Sequence, residues 1–266
     1  MIPEYVRKEC LLYMNTVINH VVCIPAYKPD HRLLELVETL ENTGLIRIVL
    51  ADDGSGSEYT PIFYRAEELG CTIVHHEHNM GKGAALRTGI EKAVHQFGQK
   101  INIITADADG QHLAQDIVRI ADAMDTYPDH LVLGVRDFDK ENVPPRSRMG
   151  NRITSAFFKA ATGVSCKDTQ TGLRGIPVSL IPLALRVKGD RYDYEMNFLT
   201  EAVKRAPLIM LPIETVYEDD NESSHFRPVR DSFLIYKEPL KKAGLGLAAA
   251  GLIAIAADIV IRMSKD

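Results

Sequence analysis

Short apolar, β-branched runs recur along the first half of the chain. Val21–Ala26, Ile46–Ala51, Thr72–His75, Ile101–Ala106 and Leu131–Val135 are predicted to be buried strands. Between them the apolar period changes from continuous to helical. Leu33, Leu36, Val37 and Leu40 form one such set, Leu86, Ile90, Val94 and Phe97 a second, and Ile117, Ile120, Ala121 and Met124 a third. Asp30 can cap the first helix and Gly44 can end it. Strands alternating with amphipathic helices predict an α/β fold, a mostly parallel sheet with helices on both faces. In such sheets ligands bind beyond the carboxyl ends of the strands.

The rhythm loosens after residue 136. Val143-Pro144-Pro145 marks a loop, a helix is expected over Ser147–Ala161, and Leu208–Tyr217 reads as a late strand. Asp219–Arg230 is polar and reads as a mobile loop; no internal repeat is visible. Ala243–Ile261 is apolar except for Asp258 and is flanked by Lys241, Lys242, Arg262 and Lys265. Its length just suffices for a bilayer. Its Ala and Gly content weakens insertion, and a central acid costs about 2.5–3.5 kcal/mol, less near the end where Asp258 lies. A soluble helix packed on the domain is the other reading; membrane contact is the one favoured.

With 266 residues, 45% hydrophobic and 25% charged, the chain can build a sizeable core, which excludes disordered and low-complexity classes. A net charge of −5 argues against a general nucleic-acid binder. Cys10, Cys23, Cys71 and Cys166 show no C-x-x-C spacing, so neither a zinc site nor a redox dithiol is indicated, and a reducing compartment suits them. Met1–His20 carries Glu4, Arg7, Lys8 and Glu9 and does not read as a secretion signal.

Candidate chemistry follows the strands. Asp107-Ala108-Asp109-Gly110-Gln111-His112 places two carboxylates at one strand end, where hard oxygens suit Mg²⁺ or Mn²⁺, with Gln111 able to add a carbonyl oxygen. In Ala51-Asp52-Asp53-Gly54-Ser55 an aspartate can accept from a nucleobase or a ribose hydroxyl. Pro25-Ala26-Tyr27 offers a rigid turn and a flat ring. Asn79-Met80-Gly81-Lys82-Gly83 lacks the hydroxyl residue and the spacing of a P-loop, yet a glycine-rich helix start with a lysine can approach phosphate. Each motif by itself also reads as an ordinary turn or helix entry.

In their order along the chain, I-P-A-Y, A-D-D-G-S, N-M-G-K-G-A-A-L and D-A-D-G-Q-H resemble the nucleotide half of family 2 glycosyltransferases of the GT-A fold, in particular the dolichyl-phosphate mannose synthase-like branch. Gly134-Val135-Arg136, then Arg146, Arg148 and Asn151, resemble the acceptor half more loosely. So do Asp168–Arg174, Tyr192-Asp193-Tyr194-Glu195 and Ser224–Arg227. Lys28-Pro29 stand where the family often has Asn-Glu, with Asp30 the nearest replacement acid, and Leu173 stands where Phe is usual.

The resemblance implies a GT-A domain over 20–235; 1–19 is left as an N-terminal extension, and the apolar run places a C-terminal helix over 236–266 that can serve as a membrane anchor. It implies transfer, with inversion, of a sugar from a GDP- or UDP-linked donor to a polyprenyl phosphate. This would occur at the cytoplasmic face of a membrane, with room for an integral membrane partner. Asp107, Asp109, Asp193 and Glu195 are the expected catalytic acids, and Asp107, Asp109 and Gln111 the ligands of Mg²⁺ or Mn²⁺. Pro25, Tyr27, Asp52, Asp53 and Lys82 are expected to bind the donor, and Arg136, Arg146, Arg148, Arg174 and Arg227 the acceptor. A transferase with a sugar-hydroxyl acceptor, using Asp193 or Glu195 as base, stays open, as does a non-catalytic nucleotide-sugar-binding protein.

Overall fold

A computed structural model describes residues 20–44, 46–138 and 145–214. The elements run β1 (His20–Ala26), α1 (His31–Glu41), β2 (Arg47–Asp52), α2 (Thr60–Glu68), β3 (Thr72–His75), α3 (Lys82–Phe97), β4 (Asn102–Thr105) and α4 (Ala114–Thr126). Then come β5 (Leu131–Arg136), α5 (Pro145–Thr162), β6 (Arg174–Ile176), the short α6 (Ile181–Ala184), α7 (Asp193–Ala202) and β7 (Leu208–Ile213).

The strands form one seven-stranded sheet in the order β3-β2-β1-β4-β6-β5-β7. Every pairing is parallel except those of β6, which runs antiparallel between β4 and β5. Alternate β1 residues face opposite layers, as the pleat requires. Val22 and Ile24 pack with Leu33, Val37, Phe63 and Ile117 from α1, α2 and α4. Val21 and Cys23 pack with Ile90, Phe158 and Phe198 from α3, α5 and α7. The chain steps outward from β1 to β2 and β3, then returns to place β4 on the other side of β1. That reversal opens a crevice at the carboxyl ends of β1 and β4.

The five early strands and three early helices stand where hydrophobic spacing predicts them. Asp30 caps α1, its carboxylate accepting from the Arg32 backbone N–H, and Gly44 takes a left-handed φ of +62° just past the helix end. Four of these elements were not anticipated: α2, β6, the short α6 and α7. The late strand ends at Ile213; the segment expected to continue it reaches beyond the described residues, as do the expected loop 219–230, the extension 1–19 and the apolar helix 236–266. Among the described residues, no helix is long and apolar enough to cross a membrane.

Candidate active site

The turns after β1, β2 and β3 are stitched together by their own polar groups. Asp53 N–H donates to the Ala26 carbonyl at 2.8 Å, and the Lys28 N–H donates to Ser55 Oγ at 2.8 Å. Lys28 adopts a left-handed φ of +54°, unusual for a residue with a side chain, and its ammonium lies 5.6 Å from the Tyr27 ring centre. The Asp52 carboxylate accepts from Ser55 N–H at 2.9 Å and bonds His75 Nδ1 at 2.8 Å. Pro25 and Tyr27 are half-buried at this edge.

Asp53 departs from its expected part. Its carboxylate accepts from the Met80 and Gly81 N–H groups at 2.8 Å each and bonds His76 Nδ1 at 2.9 Å. It is 3% exposed, so it shapes the loop before α3 from behind. An Asp53→Ala variant is expected to lose stability, because each backbone N–H left unpaired costs about 1–3 kcal/mol when buried. The loosened loop is expected to raise the KM for the donor. A denaturation midpoint and donor KM both equal to those of the parent protein would refute this role.

The second cluster forms at the end of β4. Lys82, the first residue of α3, places Nζ 2.7 Å from Asp107 Oδ1 and 3.0 Å from Glu195 Oε2. His112 Nε2 lies 3.3 Å from Asp107 Oδ2, and Asp109 Oδ1 accepts from the Gln111 N–H at 3.1 Å. Burial opposes ionisation of Asp107, yet Lys82 and His112 overrule it and hold the carboxyl well below the usual range. Burial and the neighbouring charge of Asp107 push Asp109 up. Burial likewise opposes the Lys82 charge, which Asp107 and Glu195 together outweigh, so the amine stays protonated. Glu195 Oε1 is buried without a hydrogen-bond partner among the described residues. Gly172 packs so tightly on Asp107 that any Cβ there would collide with the carboxylate.

The acceptor half is assembled differently from expectation. Arg136 grips the fully buried Asp168 with two bonds, Nε to Oδ2 at 2.6 Å and Nη2 to Oδ1 at 3.0 Å. Arg148 Nε donates to the Phe138 carbonyl at 3.0 Å. Arg174 is only 2% exposed and donates to the carbonyls of Thr171, Glu195 and Thr169 at 2.9, 2.6 and 3.3 Å. Its expected place on the acceptor is therefore corrected: it braces the chain behind Glu195. Asp193 opens α7 and its Oδ1 accepts from the Arg191 N–H at 3.1 Å, away from the Lys82 cluster. Asp30, the replacement acid, is bound by the Arg32 guanidinium and its own helix. Arg146 falls in the first turn of α5 with its side chain outside the described residues, and Arg227 lies wholly outside them.

Residues 21–179 match the family model for glycosyl transferase family 2, a span of more than half the chain. The chain belongs to glycosyl transferase family 2. Among curated relatives of this family 2 protein is an uncharacterized protein of Methanocaldococcus jannaschii. It is 29% identical over 245 residues, 88% of this chain and 99% of that one. A UDP-N-acetylglucosamine–dolichyl-phosphate N-acetylglucosaminyltransferase of Methanococcus voltae is 29% identical over 215 residues, 74% of this chain and 85% of the relative. Among solved structures, glucosyl-3-phosphoglycerate synthase from Mycobacterium tuberculosis in complex with phosphoglyceric acid superposes with a TM-score of 0.62. The identity is 15%, covering 92% of this chain and 86% of that one. The same enzyme with Mn²⁺, UDP-glucose and phosphoglyceric acid superposes at 0.57, with 16% identity over 85% of this chain and 80% of that one. These likenesses show the fold that the motifs implied.

Several residues that organise the site of this glycosyl transferase family 2 chain carried no assigned role in the sequence. His76, which bonds Asp53 and, through Nε2, Thr88 Oγ1 at 3.0 Å, is one; His112 and Arg87 are others. The legible hint for His76 was its position directly after β3, beside the strand that delivers Asp53.

Proposed function

We propose that the chain transfers a sugar from a nucleotide-sugar to a polyprenyl phosphate at a membrane surface. The observation that carries the reading is the Asp107/Asp109 pair at the end of β4, with the Lys82 ammonium fixed between Asp107 and Glu195. The dolichyl-phosphate transferase of M. voltae supports the acceptor class and, with the UDP-glucose complex of the synthase, favours a UDP-linked donor.

Asp107, Asp109 and Gln111 would hold Mg²⁺ or Mn²⁺. The donor set fits: two hard carboxylates in a half-buried site, with Asp109 raised by burial and by its neighbour's charge, gain from a shared cation. Among the described residues, no three His, Cys, Asp or Glu side chains converge on one point. A divalent ion held by only two protein carboxylates typically completes its shell with water and substrate phosphate. When bound, such an ion stabilises negative charge on a departing diphosphate.

The protein's own groups do the rest. Lys82 supplies a fixed positive charge beside the carboxylates, suited to charge that develops on the leaving group. Asp52, Pro25 and Tyr27 frame the nucleotide, and Asp53 shapes the loop that brings in Lys82. A phosphate acceptor is already anionic at neutral pH, so orientation outweighs proton abstraction. Arg136, preset by Asp168, and Arg148 at the start of α5 would orient it, and the family resemblance gives Arg146 and Arg227 the same part. The orphaned Oε1 of Glu195 offers an acceptor for a sugar or acceptor hydroxyl, and Asp193 stands at the entrance to α7.

The test gives the full chain UDP-N-acetylglucosamine, UDP-glucose or GDP-mannose with Mn²⁺. Each donor is offered either a short polyprenyl phosphate or free sugars. Transfer to the lipid phosphate is expected, and Arg136→Lys or Arg148→Lys is expected to raise the acceptor KM several-fold with donor KM nearly unchanged. Faster transfer to sugar hydroxyls would turn the reading toward polysaccharide synthesis; donor binding with neither hydrolysis nor transfer would favour a binding protein. For the membrane, the full chain is compared with one ending at Pro239. Equal solubility of both without detergent would remove the anchor role of 243–261.

A further inference from the structure

Residues 187–192, between α6 and α7, have no regular backbone pairing of their own, yet they deliver Glu195 to Lys82. Asn197 of α7 donates to the Lys188 carbonyl at 3.0 Å and the Val187 N–H to the Leu183 carbonyl at 2.9 Å, but most of the remaining bonds come from α3. Arg87 Nη1 donates to the Val187 carbonyl at 3.4 Å and to the Gly189 carbonyl, and Nη2 pairs with the Asp190 carboxylate. Its guanidinium also lies 5.3 Å from the centre of the Tyr194 ring. One turn earlier on the same face, Gly83 admits Tyr194 and Arg191 so closely that any Cβ would clash. Between them the Ala84 N–H donates to the Asp190 carbonyl at 3.1 Å. From the other side Tyr194 Oη donates to the Ala184 carbonyl at 2.9 Å.

We propose that Arg87 is a positioning residue for transfer: it straps segment 187–190 onto the first turns of α3 and thereby sets Glu195 against Lys82. The inference rests on the transferase reading of the Lys82 cluster and extends it to a residue outside that cluster. The geometry distinguishes the strap from general packing. Arg87 touches neither Lys82 nor Glu195 in any bond described above, yet its partners stand directly before α7, whose third residue is Glu195. A guanidinium can serve two carbonyls and a carboxylate at once because its donors are fixed in a planar fork; an ammonium cannot span that set. Both members of the Lys82–Glu195 pair are thus referred to one rigid helix, Lys82 by sequence and Glu195 through Arg87.

The experiment is a cycle of Arg87→Met, Glu195→Gln and the double variant in the full chain. It uses Mn²⁺, a short polyprenyl phosphate and the fastest donor of the panel above. Arg87→Met is expected to lower kcat about 10- to 100-fold, the scale of a misplaced functional group, with donor KM within about twofold of the parent. Arg87→Lys is expected to recover part of that rate. The double variant is expected to be no slower than the slower single variant, since both act through one carboxylate. Independently of turnover, amide exchange at Ala84 and Tyr194 should speed up in Arg87→Met, with Met80 and Gly81, held by Asp53, unchanged. If Arg87→Met does not fold, Asp190→Asn, at a side chain 70% exposed, carries the same cycle. Effects that multiply, or unchanged exchange at Ala84, would overturn the positioning role alone. Parent-like turnover in Glu195→Gln would instead remove Glu195 from the transferase reading, and the role of Arg87 with it.

Discussion

Asp107→Asn is expected to yield a folded protein whose turnover is lower by about 10³-fold or more. The side chain keeps its size, so it still fills the space beside Gly172. What it loses is the charge. That charge binds the Lys82 ammonium at 2.7 Å and, on the proposed reading, the divalent ion as well. Removing several kcal/mol of charge stabilisation from a barrier corresponds to a loss of that order. The fold is expected to survive because Lys82 keeps Glu195 at 3.0 Å and is not left as an unpaired buried cation. Asp109→Asn is expected to act in the same direction. Steady-state kinetics at defined Mn²⁺, together with Mn²⁺ binding followed by electron paramagnetic resonance, check both. Near-parental kcat in the two variants would defeat the assignment of the carboxylate pair.

Arg174→Met is expected to be the most destabilising of the arginine substitutions, by about 3 kcal/mol. The side chain is 2% exposed and donates to three backbone carbonyls, one of them that of Glu195. Each such buried bond from a charged donor is worth about 1.5–3 kcal/mol, and loss of a buried charge returns part of the total. For a chain of this size that corresponds to roughly 6–12 °C in Tm. Arg148→Met is expected to cost less, because that side chain is only half-buried and water can take the place of a lost partner. Urea denaturation of the two variants separates them. Unchanged stability in Arg174→Met with a raised acceptor KM would return Arg174 to the acceptor site.

Arg174 also shows where reading the sequence stops. It stands in a segment resembling the acceptor half of the family, and from the sequence an arginine there is expected to meet a phosphate. The structure instead buries it in β6, a strand of three residues, too short for alternation to reveal. Helix α2 escaped notice for a related reason: only Phe63 and Ala66 of its residues are buried, which leaves no helical stripe to count. The three long early helices were legible because each buries a row at helical spacing. The parallel strands were legible because burial on both faces makes them continuously apolar.

The sequence by itself determined the alternation of strands and helices, the position of each motif just past a strand, and the adjacency of Asp107 to Asp109. All of these are local properties of side-chain period and chain order. The tertiary structure decided which charges meet. Strand order places the turn after β4 beside the start of α3, so Lys82 closes on Asp107. The packing of α7 on α3 brings in Glu195, and Arg87 holds the segment before it. The pairing of neighbouring strand ends gives Asp53 to His76 and to the loop backbone. A charge's partner is whatever lies within a few ångströms. For residues far apart in the chain, that distance is set by sheet order and helix packing, which no local pattern encodes.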